Sequence, residues 1–361
     1  MAEARSGAES RGTAEPRGTA VRDAVREIGM PRILIAVFFL VLLGVAYATH
    51  MDMPALLGDC VLRIARNGLL VLALLPAIQG GLGLNFGLPI GILCGLLGCV
   101  ITMNASLGGW AGLGLSALIG VGLAVPAGFA YGALLNRTRG QEMMVGTYLG
   151  FAVVSGMSIF WTLAPFHNPQ LVWAISGRGL RTTLTLGGLY DGLLDRLGRF
   201  SIAGVSVPTG TLLVFALACV LVGLFFRTRA GVAIGAARVN PRFALAAGIR
   251  DSRTRLQATA LSTALAALGI VVFCQSYGFV QLYVAPLYMA FPAVACLLIG
   301  GGSVQRATLP NVIIGTVLFQ SILTVALPVT SQVVQGDISD TARLIIQNGM
   351  ILYALTRRSG R

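Results

Sequence analysis

Charge is scarce in this chain. Only 11% of its 361 residues are charged, where a soluble domain carries about 25%. Lysine is absent altogether, and every one of the 26 basic residues is arginine. That excludes a P-loop ATPase, which needs the lysine of its phosphate loop, and any Schiff-base enzyme, which needs the amine. A retinal protein is excluded on the same ground. Histidine is limited to His50 and His167, each alone at the end of an apolar run. The six cysteines (Cys60, Cys94, Cys99, Cys219, Cys274 and Cys296) lie mostly inside apolar runs and show no CxxC or zinc-like spacing. They read as small apolar side chains, and no metal site, cofactor or catalytic cluster is expected.

What the chain has in quantity is apolar side chain: 56% of residues, with a mean hydropathy of +0.82. So little charge cannot cover a soluble globule, so the class is membrane. Residues 1–27 are rich in Ala, Gly, Arg, Glu and Ser and read as a disordered tail. The apolar run from Pro31 is too long for a secretory signal. From there on, runs of about 16–24 residues, the length that crosses a bilayer core, recur at 31–49, 64–80, 88–103, 110–135, 143–164, 209–226, 257–275, 285–300, 310–329 and 342–356. The expected fold is all-α: a polytopic membrane protein with about 10 transmembrane helices and broken helices near its pathway, spanning 28–361.

Charge sets the orientation. The tail together with Arg32, the 136–142 turn, the 227–256 loop, the 301–309 turn and the C-terminal end hold 19 arginines against 7 acidic residues. The other side holds 7 arginines against 6 acidic residues. The positive-inside rule puts both termini in the cytoplasm.

Two segments outside the spans carry pattern. In the external stretch 166–207, Leu189, Tyr190, Leu193, Leu194 and Leu197 fall on one helical face, with Asp191, Asp195, Arg196 and Arg199 on the other. This predicts an amphipathic interfacial helix. In the loop 227–256, Asn240 is a good N-cap, Pro241 suits the first helical position, and Gly248 suits the left-handed position after the last turn. The spacing predicts a helix of about two turns, capped at both ends.

Inside the spans, charge is almost missing; Arg63, Arg66, Glu142 and Arg343 sit at span ends. Ionisable groups at membrane depth usually mark ion pathways, so a proton-driven carrier is disfavoured. The uncharged polar residues are Gln79, Asn85, Asn104, Gln275, Gln320 and Asn348. Gln79 to Pro89 packs four glycines and a proline into eleven residues and cannot be one continuous helix. Gln275 to Pro286 forms a second break at the corresponding place in the other half. Irregular backbone at this depth is tolerated only where protein buries it or where it lines a watery path. Gln79, Asn85, Phe86, Gln275 and Tyr277 are therefore expected to line the pathway.

Three stretches resemble a known family. Gly231 to Ile249, read as G-x8-N-P-x2-A-x2-A-G-I, resembles the cytoplasmic loop of permease subunits of ABC importers, the class serving ribose, galactose, nucleosides and branched-chain amino acids. Arg63 through Gly91 is similar to that family's second span and break, and Leu298 to Ser303 to its IGG-[GT]-S turn. The resemblance covers roughly residues 32–356. It implies a permease without catalysis of its own, paired with a second permease chain as homo- or heterodimer. A separate cytoplasmic ABC ATPase would grip the helix around Asn240, Pro241, Arg242, Phe243, Leu245 and Gly248. An external substrate-binding protein would deliver solute, and Arg63, Arg66 and Arg343 are expected to dock its carboxylates. The surrounding partner is membrane lipid; no nucleic acid is expected. A sugar or nucleoside is favoured, although the acidic residue many members carry at the first break is replaced here by Asn85 or Pro89. The alternative is a channel or secondary carrier working without an ATPase.

Overall fold

The computed structural model describes residues 30–166, 168, 171–172, 179–333, 345 and 348–349. The expected tail, His167, Arg343 and most of the 342–356 span lie outside them. The other nine expected spans are helical. The helices are α1 (Met30–Ala48), α2 (Met53–Leu72), α3 (Leu74–Gln79), α4 (Leu88–Asn104), α5 (Gly109–Arg137), α6 (Glu142–Leu163), α7 (Leu193–Arg196), α8 (Thr209–Arg227), α9 (Arg229–Val239), α10 (Pro241–Ala246), α11 (Asp251–Tyr277), α12 (Ala285–Ile299) and α13 (Leu309–Val333). Four three-residue strands complete the set: β1 (Thr183–Thr185), β2 (Phe200–Ile202), β3 (Val205–Val207) and β4 (Phe279–Gln281). The chain is an all-α polytopic membrane protein. Among the described residues, six segments are long and apolar enough to cross a membrane, with α2 and α3 counting as one; the 32–48, 88–104 and 285–299 helices are shorter.

Hydropathy does not decide which helix goes inside. The 53–79, 251–277 and 309–332 segments are each 67% buried, while the equally apolar α5, α6 and α8 are 28%, 17% and 33% buried. Small side chains set how closely neighbouring helices approach, as expected where lipid is as apolar as leucine. A Cβ added at Gly91 or Gly95 of α4 would strike α11 at Thr263, Ala266, Ala267 or Ile270. One added at Gly128 or Gly132 of α5 would strike α11 at Thr263 or Thr259. A second close crossing joins α12 to α13, where Gly300 meets the carbonyl of Asn311 and Gly315 that of Cys296. That approach, with Gly301 at φ +85°, is the physical content of the IGGGS turn.

The 64–80 span is not one helix. It begins at Met53 and breaks at Ala73 between α2 and α3. Pro76 has no N–H for the Leu72 carbonyl, and the Ala73 carbonyl accepts instead from Ser262 Oγ at 2.6 Å. The expected amphipathic helix is also corrected. Only Leu193–Arg196 is helical, because Gly192 takes a left-handed φ of 59° before it and Leu197 is extended after it. Tyr190 turns inward instead, 1% exposed, its hydroxyl 3.2 Å from Thr102 Oγ1. Beyond α7, β2 and β3 form a hairpin through Ala203 (φ 50°) and Gly204 (φ 84°), the two positive angles of a type I′ turn. β1 reaches across the chain to pair antiparallel with β4, Leu184 opposite Val280.

Candidate functional site

The bundle has two differently built ends. At one end α9, α10 and the start of α11 form the loop predicted to be capped. Asn240 Oδ1 accepts from the Phe243 N–H at 3.1 Å. The Gly248 N–H bonds to Leu245 and the Ile249 N–H to Ala244, at 3.0 and 2.9 Å, with Gly248 at φ +80°. That is a Schellman close, so α10 has its orphan groups satisfied at both ends. Ala244 is fully buried, whereas Val239, Phe243 and Leu245 are 77%, 68% and 68% exposed, with Arg242 and Arg250 exposed beside them.

Next to α10, a groove of about 800 Å³ is bounded by the 81–83 break, the α5–α6 turn, Arg238 and the 304–306 turn. Arg238 donates to the Gln305 carbonyl, and Gln79 Nε2 to that of Ala307. Partial burial, with Arg306 as a second cause, pushes the Arg238 guanidinium below its ordinary pKa. Under the loop, Arg255 Nη2 pairs with Glu142 Oε1 at 2.6 Å, their side chains 8% and 15% exposed. The outer pair Arg139–Asp251, at 2.9 Å, is solvated.

At the other end β1, β4 and the β2–β3 hairpin form a platform. Below it lies a cleft of about 280 Å³ between α2, α11, α12 and α13. Arg63, Arg66 and Asn67 line it from α2, Tyr277 from α11, Tyr288 from α12 and Gln320 from α13. The Arg66 guanidinium stands over the rings of Phe273 (5.1 Å) and Tyr277 (5.3 Å). Its Nε is buried without a hydrogen-bond partner.

The residues expected to line one pathway are thus dispersed. Asn85 is buried and fully engaged: its amide donates to Ser262 Oγ (2.8 Å), and its Oδ1 accepts from Tyr131 Oη and the Gly87 N–H (both 3.0 Å). Gln275 is likewise buried, its Oε1 accepting from the Leu194 N–H at 3.1 Å and its carbonyl from Gly192 at 2.7 Å. These two hold the fold rather than face a lumen in this conformation, because the low dielectric makes every unmade bond costly. Phe86 packs toward Phe291 of α12, ring centroids 6.4 Å apart, and Tyr277 is 42% exposed at the cleft mouth.

The two breaks are not side by side either. Gly83 faces Met143 and Val304 at the loop end, and Gly278 faces Asp191 at the platform end. The long segments α4, α5, α6, α8 and α11 separate them, an odd number of passes, so they emerge at opposite ends.

Of the arginines read as docking residues, Arg63 and Arg66 both reach into the cleft wall, and Arg343 lies outside the described residues. The Glu142–Arg255 pair and the Tyr131–Asn85–Ser262 network were not anticipated. Their members lie 113, 46 and 177 residues apart. The only sequence signal for the first was one acid and one base placed at facing helix ends.

Long apolar helices, broken segments, a polar cleft at one end and a capped exposed helix at the other define a membrane transport protein. The family model described as "Branched-chain amino acid transport system / permease component" matches residues 68–355. The chain belongs to that family and is a transmembrane permease subunit of the ABC type. No curated protein and no solved structure matches it.

Proposed function

We propose that this permease imports a small polar solute across a bacterial cytoplasmic membrane, driven by a separate ATPase that seats α10 in a cleft. The observation carrying this is α10 itself: a six-residue helix closed at both ends, with Phe243 and Leu245 turned outward in an arginine-rich loop. A connecting loop gains nothing from two exposed apolar anchors on a rigid turn, whereas a partner groove does. The absence of lysine from the chain agrees with an ATP site on another subunit. Both termini then lie in the cytoplasm, a second permease chain completes the pathway, and an external substrate-binding protein docks on the platform near Arg63. Phe86 and Tyr277 are the retained pathway candidates.

The resemblance favours sugar or nucleoside. Against a sugar, Asn85 stands where other members carry an acid, and its side chain is consumed inside the protein.

Phe243→Asp with Leu245→Asp tests this reading. ATPase co-purification and solute uptake should both fall at least tenfold, about 1.4 kcal/mol of docking energy. Unchanged co-purification would favour a carrier working alone.

A further inference from the structure

We infer that the platform-end cleft is a solute site, and that its solute is a small organic anion with a short apolar body and no ammonium group. This rests on the permease reading above and names the substrate class for it.

The cleft is small, near the lower end of ligand pockets, which run from about 300 Å³. Its floor is apolar, made by Leu70, Val71 and Leu323 among others. Its polar side is cationic. Arg66 reaches it from the middle of α2, and neither of the ion pairs formed among the described residues uses it. No Asp or Glu lines the cleft among the described residues.

A guanidinium held on two ring faces presents its edge, and that edge matches a carboxylate through paired N–H donors. Asn67 of α2 and Gln320 of α13 add amide groups to the lining, each also donating within the protein, to the Arg63 carbonyl and to Cys296 Sγ. A zwitterion would bring an ammonium beside a fixed positive charge, and no Asp or Glu lines the cleft among the described residues to receive it. Asp59 and Asp195 act on the Arg66 guanidinium from a distance, but neither forms an ion pair with it. A ligand carboxylate would be the direct partner, which a sugar does not offer.

The test is protection of Arg66 from phenylglyoxal, read site by site by mass spectrometry on the intact chain in phosphatidylcholine nanodiscs. About 10 mM isovalerate should slow modification of Arg66 at least threefold, as for a Kd in the millimolar range. Leucine and ribose at the same concentration should not, and exposed Arg137 should be unaffected by all three. Equal protection by ribose or leucine overturns the proposal. So does failure of Arg66 to react without solute, because the cleft would then be closed. Protection by added phosphatidylglycerol alone would assign the cleft to a lipid headgroup and equally overturn it. In equilibrium dialysis with radiolabelled isovalerate, Arg66→Gln should lose binding at least tenfold and Arg66→Lys should keep part of it. None of these measurements involves an ATPase, so they fail independently of α10 docking.

Discussion

α11 faces two seams of opposite construction. Against α4 and α5 it is sealed: glycines meet threonines and alanines at backbone distance, and Arg255, at the loop end of the seam, is held by the Leu135 carbonyl and Glu142. Against α2 it closes at Gly269, which meets the backbone of Leu69 and Leu70, and opens only toward the platform end, where Phe273 and Tyr277 border a cleft that holds an arginine. One helix thus supplies a fixed wall on one side and a working wall on the other. In lipid, apolarity cannot distinguish the two seams, so side-chain size does. Where both helices offer small residues the backbones close, and where one offers Arg, Tyr or Phe they cannot.

The contrast breaks most visibly on the sealed side. Gly128→Leu drives a side chain into Thr263 and Ala260; the expected result is no monodisperse protein on gel filtration. A well-behaved Gly128→Leu chain would show that the seam is not tight.

The next largest effect lies at the loop end. Glu142→Gln leaves Arg255 buried with half its partner gone. Loss of about 3–5 kcal/mol is expected in reversible denaturant unfolding in mixed micelles. Glu142→Gln with Arg255→Leu should recover a large part of it, and no recovery would mean the pair is not the source.

Asn85→Ala removes acceptor and donor from Tyr131, Ser262 and Gly87. The expected cost is about 1–3 kcal/mol in the same assay, without new reactivity of neighbouring cysteines toward aqueous thiol reagents. Labelling from water would instead reinstate Asn85 as a pathway residue.

Asn240→Ala removes the cap of α10. A loss of about 0.5–2 kcal/mol in local helix stability is expected, seen as faster hydrogen exchange at Phe243, with ATPase co-purification reduced several-fold. Smallest on stability is Arg66→Gln at the cleft, where the ring contacts to Phe273 and Tyr277 are lost but no protein hydrogen bond is; unfolding should shift by about 1 kcal/mol or less. A large loss there would make Arg66 a structural residue.

Much of the fold was legible because its determinants are local. Most span edges followed the apolar runs, the start of α2 at Met53 excepted, and the α10 caps followed from Asn240, Pro241 and Gly248, whose effects act within one turn. What failed was non-local or depended on a single residue's choice. The β1–β4 pairing joins Leu184 to Val280 with five helices between them. The interfacial helix ended early because Gly192 and Leu197 left helical angles, which the apolar periodicity around them does not register. For the site, Arg66 was visible as a cation near a span end, but its direction, toward the cleft rather than the surface, needed Phe273 and Tyr277 brought beside it. Asn85 and Gln275 were singled out as polar residues at helix breaks. Their hydrogen-bond partners, distant in sequence, turned them into structural members.

One connection has mechanical weight. α11 starts two residues after the close of α10, and near its far end Gln275 is bonded to Gly192 and Leu194 of the platform. Its 27 residues make a rod of about 40 Å at 1.5 Å per residue. A tilt of roughly 10° about the loop end would swing the platform end by about 7 Å at that length. That stroke exceeds the width of a small solute, so a rod this long would turn a slight rotation at the loop end into a solute-sized displacement at the platform end.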